Sequence, residues 1–219
     1  MSDPAIRRWD DGATWIAHPE EALHRASHVL TVGEGVLVVE PVAFDGLEDL
    51  LSSVGSVDGV VVLMDRHTRD AATVAERHDA PVLAPTGFAR VDAKLPAPAQ
   101  PLEPHLEGSD WSVRTLYDGR LQQEAALWAP AARTLLVPEA VGTAWYYTVG
   151  DEPVGVHPMS RIRPPTAPLA GVAPRRLLVG HGHPLKPVPT GAFERALETA
   201  RRRLPRAWAR AAVGWIRRA

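Results

Sequence analysis

The chain has 219 residues and no cysteine, which excludes disulfides, thiolate metal ligands and cysteine nucleophiles together. Hydrophobic residues make up 45% and charged residues 23%, ordinary globular values, and the length fits one large α/β domain. A net charge of -2 gives no overall pull toward nucleic acid or an anionic membrane. With no apolar leader in "MSDPAIRRWDDG" and no apolar run of about 18 residues, the expectation is a cytoplasmic protein with neither partner.

Strand and helix patterns alternate along the first half. "ATWIA" (13–17) and "VLVVE" (36–40) read as strands, the second rich enough in β-branched residues to be buried on both faces. In "DGLEDLLSSVG", Leu47, Leu50, Leu51 and Val54 recur at helical spacing, and Gly55 suits the C-cap. A strand over 59–64, a helix from about Thr68 to His78 and the strand "PVLAP" follow. This β-α-β-α-β order predicts a layered sheet with helices packed on it. The proline-rich "KLPAPAQPLEP" (94–104) predicts a loop or crossover without regular structure.

Beyond it, "WSVRTLYDG", "EAALWAP" and "RTLLVPE" read as three short strands. The irregular stretch 150–174 is long enough to cover a site and carries His157, which could reach that site. "RRLLVG" (175–180) is a strand, and 191–218 is helical, with Pro205 expected to kink or divide the helix. Three apolar strands end on polar groups: "LMDRHTRDA" after the strand at 59–64, Glu139 after "RTLLV", and His181 in "LLVGHGHPL". Side chains at strand ends are commonly aimed into a cleft, so convergence at one sheet edge is expected. The small glycines beside His181 permit close approach of a ligand to its ring. His18, His24, His28, His78, His105 and His183 carry no ligand-like spacing and read as structural or exposed.

In their order these segments resemble the metallo-β-lactamase superfamily, from about Trp9 to Pro187. "GEGVLVVEPV" is similar to the G-x-x-x-L-V-D-P strand, with Glu40 at its aspartate. "LMDRHTRDA" stands where T-H-x-H-x-D-H is usual. "LYDGRLQQEAALWAPAARTLLVPEAVG" resembles the segment carrying G-H-[ST], a strand pair and then G-D, and "LVGHGHP" matches the terminal G-H-G. The resemblance implies an α/β protein, a four-layer αβ/βα sandwich of the metallo-β-lactamase type. Residues 1–190 would form that domain, with 191–219 a basic amphipathic helix packed on it.

The ligand positions depart from the signature. Carried over, the first histidine becomes Asp65, the second is kept as His67, the aspartate becomes Arg69 and the third histidine Asp70. The middle histidine falls on Arg120, the bridging aspartate on Glu139, and the terminal histidine is His181. Arginine cannot offer a lone pair to a metal. One reading follows directly: Arg69 and Arg120 occupy the metal positions, pair with Asp65, Asp70 and Glu139, and leave a degenerate, non-catalytic site for a small-molecule ligand. A second keeps one divalent ion (zinc, manganese or iron) on a set drawn from Asp65, His67, Asp70, Glu139 and His181, giving a mononuclear hydrolase of an ester, thioester or phosphoester. The plainer alternative makes Asp65 and Glu139 turn residues, His67 a helix-start residue with a satisfied ring, Arg69 and Asp70 a solvated pair on a first helical turn, and "GHGHP" a glycine-rich turn. A third function, a dimeric scaffold, rests on the C-terminal stretch, where Leu197, Leu204, Trp208, Ala211 and Trp215 form one apolar stripe amid eight arginines and two glutamates.

Overall fold

The computed structural model describes residues 2–216, so that residues 217–219 and the side chain of Trp215 lie outside it. Four strands, β1 (Ala5–Trp9), β2 (Gly12–Ile16), β3 (Ala26–Val32) and β4 (Gly35–Val39), form an antiparallel meander. Strands β5 (Val57–Val61), β6 (Val82–Pro85) and β7 (Gln100–Leu102) extend the same seven-stranded sheet in parallel. Helices α1 (Leu47–Ser52), α2 (Ala71–Arg77) and α3 (Ala89–Asp92) lie in the crossovers that parallel strands require. A second sheet contains β8 (Ser112–Asp118), β9 (Gln123–Ala129), β10 (Thr134–Val137) and β13 (Arg176–Val179), ordered β13-β10-β9-β8 with β10 and β13 parallel. A small ribbon, β11 (Val141–Gly142) with β12 (Gly155–Val156), follows β10. Helices α4 (Ala192–Thr199) and α5 (Leu204–Ile216) close the chain.

Alternation within the second sheet sorts its side chains into two cores. Ala125, Leu127 and Ala129 of β9, Leu136 of β10 and Leu178 of β13 face the first sheet and share a core with Val38, Val60, Leu51 and Val74. Their neighbours Ala126, Trp128, Leu135, Val137, Leu177 and Val179 face the other way and pack under Phe193, Ala196 and Leu197 of α4. The period of two thus makes one sheet a partition between two cores. With α1 and α2 on the far side of the first sheet, the layers run helix, sheet, sheet, helix.

Several expectations change. The 94–104 segment holds an edge strand, β7, because its unpartnered outer side tolerates Pro101, which has no N–H to give. The long stretch 150–174 contains β12 and a 3-10 turn at Ser160–Ile162. The C-terminal stretch divides into two helices, one of the two outcomes expected, but the break falls over 200–203 rather than at Pro205, which sits in the first turn of α5, where its ring is accommodated. The α4 helix docks on the second sheet, whereas α5 runs past it toward the strand ends. Trp208 stays 47% exposed. No helix among the described residues is long and apolar enough to cross a membrane.

Candidate functional site

The parallel strands β4, β5, β10 and β13 end at one edge of the sandwich, the position at which open α/β sheets present a crevice. The apolar run after β5 leaves its own sheet there: Met64 bridges to Glu124 of β9, and the Asp65 amide donates to the Gln123 carbonyl at 3.1 Å. On the other flank, Arg25 bridges to His181, and the Ala26 amide donates to the Gly180 carbonyl at 2.9 Å. These stitches bring the 65–70 turn, residue 139 and residue 181 together although they are far apart in sequence. Glu124, fully buried, accepts the Glu139 and Ala140 amides at 2.8 and 2.7 Å and so sets the direction in which Glu139 leaves β10. Burial pushes the Glu124 pKa up to about 7 against the pull of those amides.

Three ligand-type atoms converge. His181 Nε2 lies 3.0 Å from Glu139 Oε2, His67 Nε2 lies 3.2 Å from the same oxygen, and the two nitrogens are 3.3 Å apart. Both imidazoles are fixed from behind. His67 Nδ1 meets the buried Glu40 carboxylate at 2.7 Å, and His181 Nδ1 donates to the Leu23 carbonyl at 2.9 Å. A neutral ring that donates through Nδ1 offers its lone pair at Nε2, so both lone pairs point at the Glu139 carboxylate. Lone pairs and a carboxylate facing one another call for a cation between them. Nitrogen and oxygen ligands at about 2.0–2.1 Å around a tetrahedral metal stand about 3.3 Å apart, and the three observed separations suit that spacing. His67, Glu139 and His181 therefore fit one divalent ion, with the carboxylate–imidazole support seen behind metal-binding histidines.

The electrostatics describe the alternative occupancy, in which protons rather than a cation sit between the rings and Glu139. For His67, burial disfavours the charged form, but Glu40 and hydrogen bonding to Glu139 outweigh it, and its pKa is raised. For His181, burial wins and the pKa is lowered. Burial would raise Glu139, yet the hydrogen bonds from His181 and His67 hold its carboxyl well below the usual range. A cavity of about 430 Å³ opens over the three atoms, walled by Arg25, Arg66, Tyr146, His157 and Ala211 of α5.

The remaining sequence candidates lie apart from this triad. The Asp70 carboxylate accepts the Ala43 amide at 2.8 Å, behind the site. Asp65 is buried and turned to Arg90 of α3 at 2.9 Å. Arg120 sits on an exposed turn, where its carbonyl accepts a hydrogen bond from Arg90. Arg69 lines the cavity, but its guanidinium donates to the carbonyls of Ala26 (2.6 Å), Glu40 (2.9 Å) and Gly180 (3.1 Å). Its backbone φ of 41° lies in the left-handed region, as does that of Glu40 at 48°, so both residues are held in conformations that the surroundings must enforce. The cations near the carboxylates are instead Arg90, and Arg66, whose Nη2 lies 3.5 Å from Glu139.

Sequence reasoning misses Glu40, Leu23, Tyr146 and Tyr147 as parts of the site. Glu40 alone carries a signal, since an acidic residue ending a fully buried strand must find a partner inside. Tyr147, fully buried, donates to the Glu139 carbonyl at 2.8 Å, and Arg161 in turn donates to the Tyr147 carbonyl at 2.7 Å. Nothing local in "GTAWYY" distinguishes such roles from ordinary aromatic packing.

No family pattern matches the sequence, and no curated protein does. Solved structures do match. The metallo-β-lactamase DIM-1, studied after exposure to ceftazidime, superimposes with a TM-score of 0.63 at 14% identity, over 90% of this chain and 97% of that one. The metallo-β-lactamase FIM-1 from Pseudomonas aeruginosa, in its mono-zinc form, gives 0.62 at 9% identity over 91% and 95%. TTHA1623 in a di-iron-bound form gives 0.59 at 19% identity over 80% and 94%.

Proposed function

We propose that this chain, which has the metallo-β-lactamase fold, is a single-metal hydrolase acting on an ester, thioester or phosphoester, with His67, Glu139 and His181 as the ligands. The observation that supports it is the mutual spacing of 3.0, 3.2 and 3.3 Å among one carboxylate oxygen and two imidazole nitrogens whose other nitrogens are already engaged. A divalent ion held there supplies Lewis acidity toward a carbonyl or phosphoryl oxygen. The protein's own part is orientation and shelter. Glu40 and the Leu23 carbonyl fix the two rings, Glu124 and Tyr147 fix Glu139, and Tyr146 and Ala211 line the cavity. Oxygen as well as nitrogen among the ligands leaves zinc, manganese and iron as the metals to test.

A second reading has its own support. The raised pKa of His67 allows a proton to occupy the space between His67 and Glu139, which would leave a metal-free, non-catalytic binding protein. Metal content by inductively coupled plasma mass spectrometry separates the two. The single-metal reading expects close to one equivalent retained after dialysis with zinc, manganese or iron, and loss of it in His67→Ala and in His181→Ala. Absence of stoichiometric metal under every loading condition would overturn it in favour of the metal-free protein.

A further inference from the structure

The outer oxygen of Glu139 faces two donors that reach toward it without closing on it. Oε2 is taken by His67 and His181, whereas Oε1 has Arg66 Nη2 at 3.5 Å and His157 Nε2 at 3.6 Å, both beyond a good hydrogen bond. His157 Nδ1 accepts the Met159 amide at 3.3 Å, so the ring hydrogen of the neutral tautomer sits on Nε2, directed into the cavity. Arg66 is 45% exposed, and among the described residues it is held by a long contact of 3.4 Å to the Leu121 carbonyl and a loose approach of 4.0 Å to the Asp65 carboxylate, so its fork can turn inward. Arg25 is neutralised by Glu21 at 2.8 Å, and Arg69 is bound to carbonyls. Arg66 and His157 are therefore the loosely held donors of the cavity, beside the position of a cation.

We propose that Arg66 and His157 form an oxyanion-recognition pair and that the cavity takes an organic phosphate monoester. The inference rests on the single-metal reading for one of its three contacts. A phosphoryl group has three terminal oxygens, one each for Arg66, His157 and the ion, whereas a carboxylate has two. The cavity of about 430 Å³ is far larger than a phosphate ion, and its lining also includes the apolar residues Leu23, Pro158 and Ala211, which suits the organic part of an ester.

Binding by isothermal titration calorimetry of inorganic phosphate, phenyl phosphate and acetate to the full-length protein tests the proposal, with metal content measured on the same samples. Phenyl phosphate is expected to bind more tightly than inorganic phosphate, and both more tightly than acetate. Arg66→Gln and His157→Phe are each expected to weaken both phosphates about ten-fold or more, as loss of a charge-assisted or buried hydrogen bond does, without lowering metal content. Arg66→Lys restores charge without the fork and should fall between. Unchanged affinity in both variants, or no phosphate binding by metal-loaded protein, overturns the proposal while leaving the metal site standing. Tighter binding of inorganic phosphate than of its ester would keep the donor pair and overturn the ester. Arg66-dependent phosphate binding by protein that takes up no metal would sink the single-metal reading and keep the recognition pair.

Discussion

Glu40 decides which nitrogen of His67 faces the cavity, and it does so from outside the set of ligand-type residues. Its Oε2 takes the His67 ring at 2.7 Å while Oε1 accepts the Leu63 amide at 3.3 Å. A Glu40→Gln variant keeps one acceptor oxygen for the His67 ring, turns its NH2 group toward the Leu63 amide, and loses the negative charge that makes His67 a strong donor of electron density. Metal affinity, measured by chelator competition, is expected to drop by about 10- to 100-fold, beside a stability loss of about 1–3 kcal/mol for the unsatisfied Leu63 amide. An unchanged affinity would show that the carboxylate only fills space. Gly182, next to His181, has φ 99°, and an added Cβ would stand 2.3 Å from Thr143 Oγ1 and 2.4 Å from the Ala144 nitrogen. Gly182→Ala must therefore displace the turn that presents His181, so loss of metal together with lowered stability in urea is expected. At this scale the sequence is half legible. His67, Glu139 and His181 stand at the ends of apolar strands and can be picked out by that alone. The roles of Arg69 and Asp70 cannot, because a guanidinium or carboxylate beside a site is equally able to turn its back on it and serve the main chain.

The 143–147 turn and α5 behave as one unit at the cavity mouth. Arg210 Nε donates to the Trp145 carbonyl at 2.8 Å, Trp208 Nε1 donates to the Pro158 carbonyl at 3.1 Å, and Gly214 lies so close to Trp145 that an added Cβ would fall 1.9 Å from its ring. Gly214→Leu forces the helix away from Trp145, an overpacking worth about 1–3 kcal/mol. Limited trypsin digestion should then cut the exposed Arg201 and Arg202 roughly 10- to 100-fold faster, with the sandwich itself intact. Equal cutting rates would mean that α5 is held by its other contacts. The helix period is plain in the sequence, but its destination is not, since a stripe of alanine, glycine and tryptophan fits a sheet, a partner or a cavity rim. Strand legibility follows the same physics. β4, β9 and β10 show as apolar runs, whereas β3 ("ASHVLTV") buries the polar Ser27 and His28 on its two faces and β1 is an edge strand with its middle exposed.

His28 ties the two sheets together at the level of the whole molecule. Thr14 Oγ1 meets its Nδ1 at 2.8 Å, and its Nε2 donates to the Val179 carbonyl of the second sheet at 3.2 Å. Burial, with a smaller push from Arg69, lowers its pKa to about 3, so it is neutral in the folded chain and protonates near 6.5 only when unfolded. The unfolded state thus binds the extra proton, and this residue makes stability fall as pH drops from about 6.5 toward 3, by about 1.4 kcal/mol per unit. Urea midpoints at pH 7, 6, 5 and 4 should show a shallower decline for His28→Gln than for the parent chain, and parallel curves would mean that other groups set the acid limit. Leu127, fully buried between the sheets, gives the matching apolar test: Leu127→Ala should cost about 2–5 kcal/mol at every pH. Arg69 also acts on this scale, since its three carbonyl contacts join the ends of β3, β4 and β13. An Arg69→Asp substitution would leave the Gly180 carbonyl with the Ala26 amide and the Glu40 carbonyl with Ser27 Oγ, so the lost hydrogen bond tells chiefly at the Ala26 carbonyl, at about 1–3 kcal/mol. The guanidinium therefore works as a rivet: one side chain of the 65–70 turn pins three strand ends from both sheets, so a change there loosens the frame on which His67 and His181 are mounted.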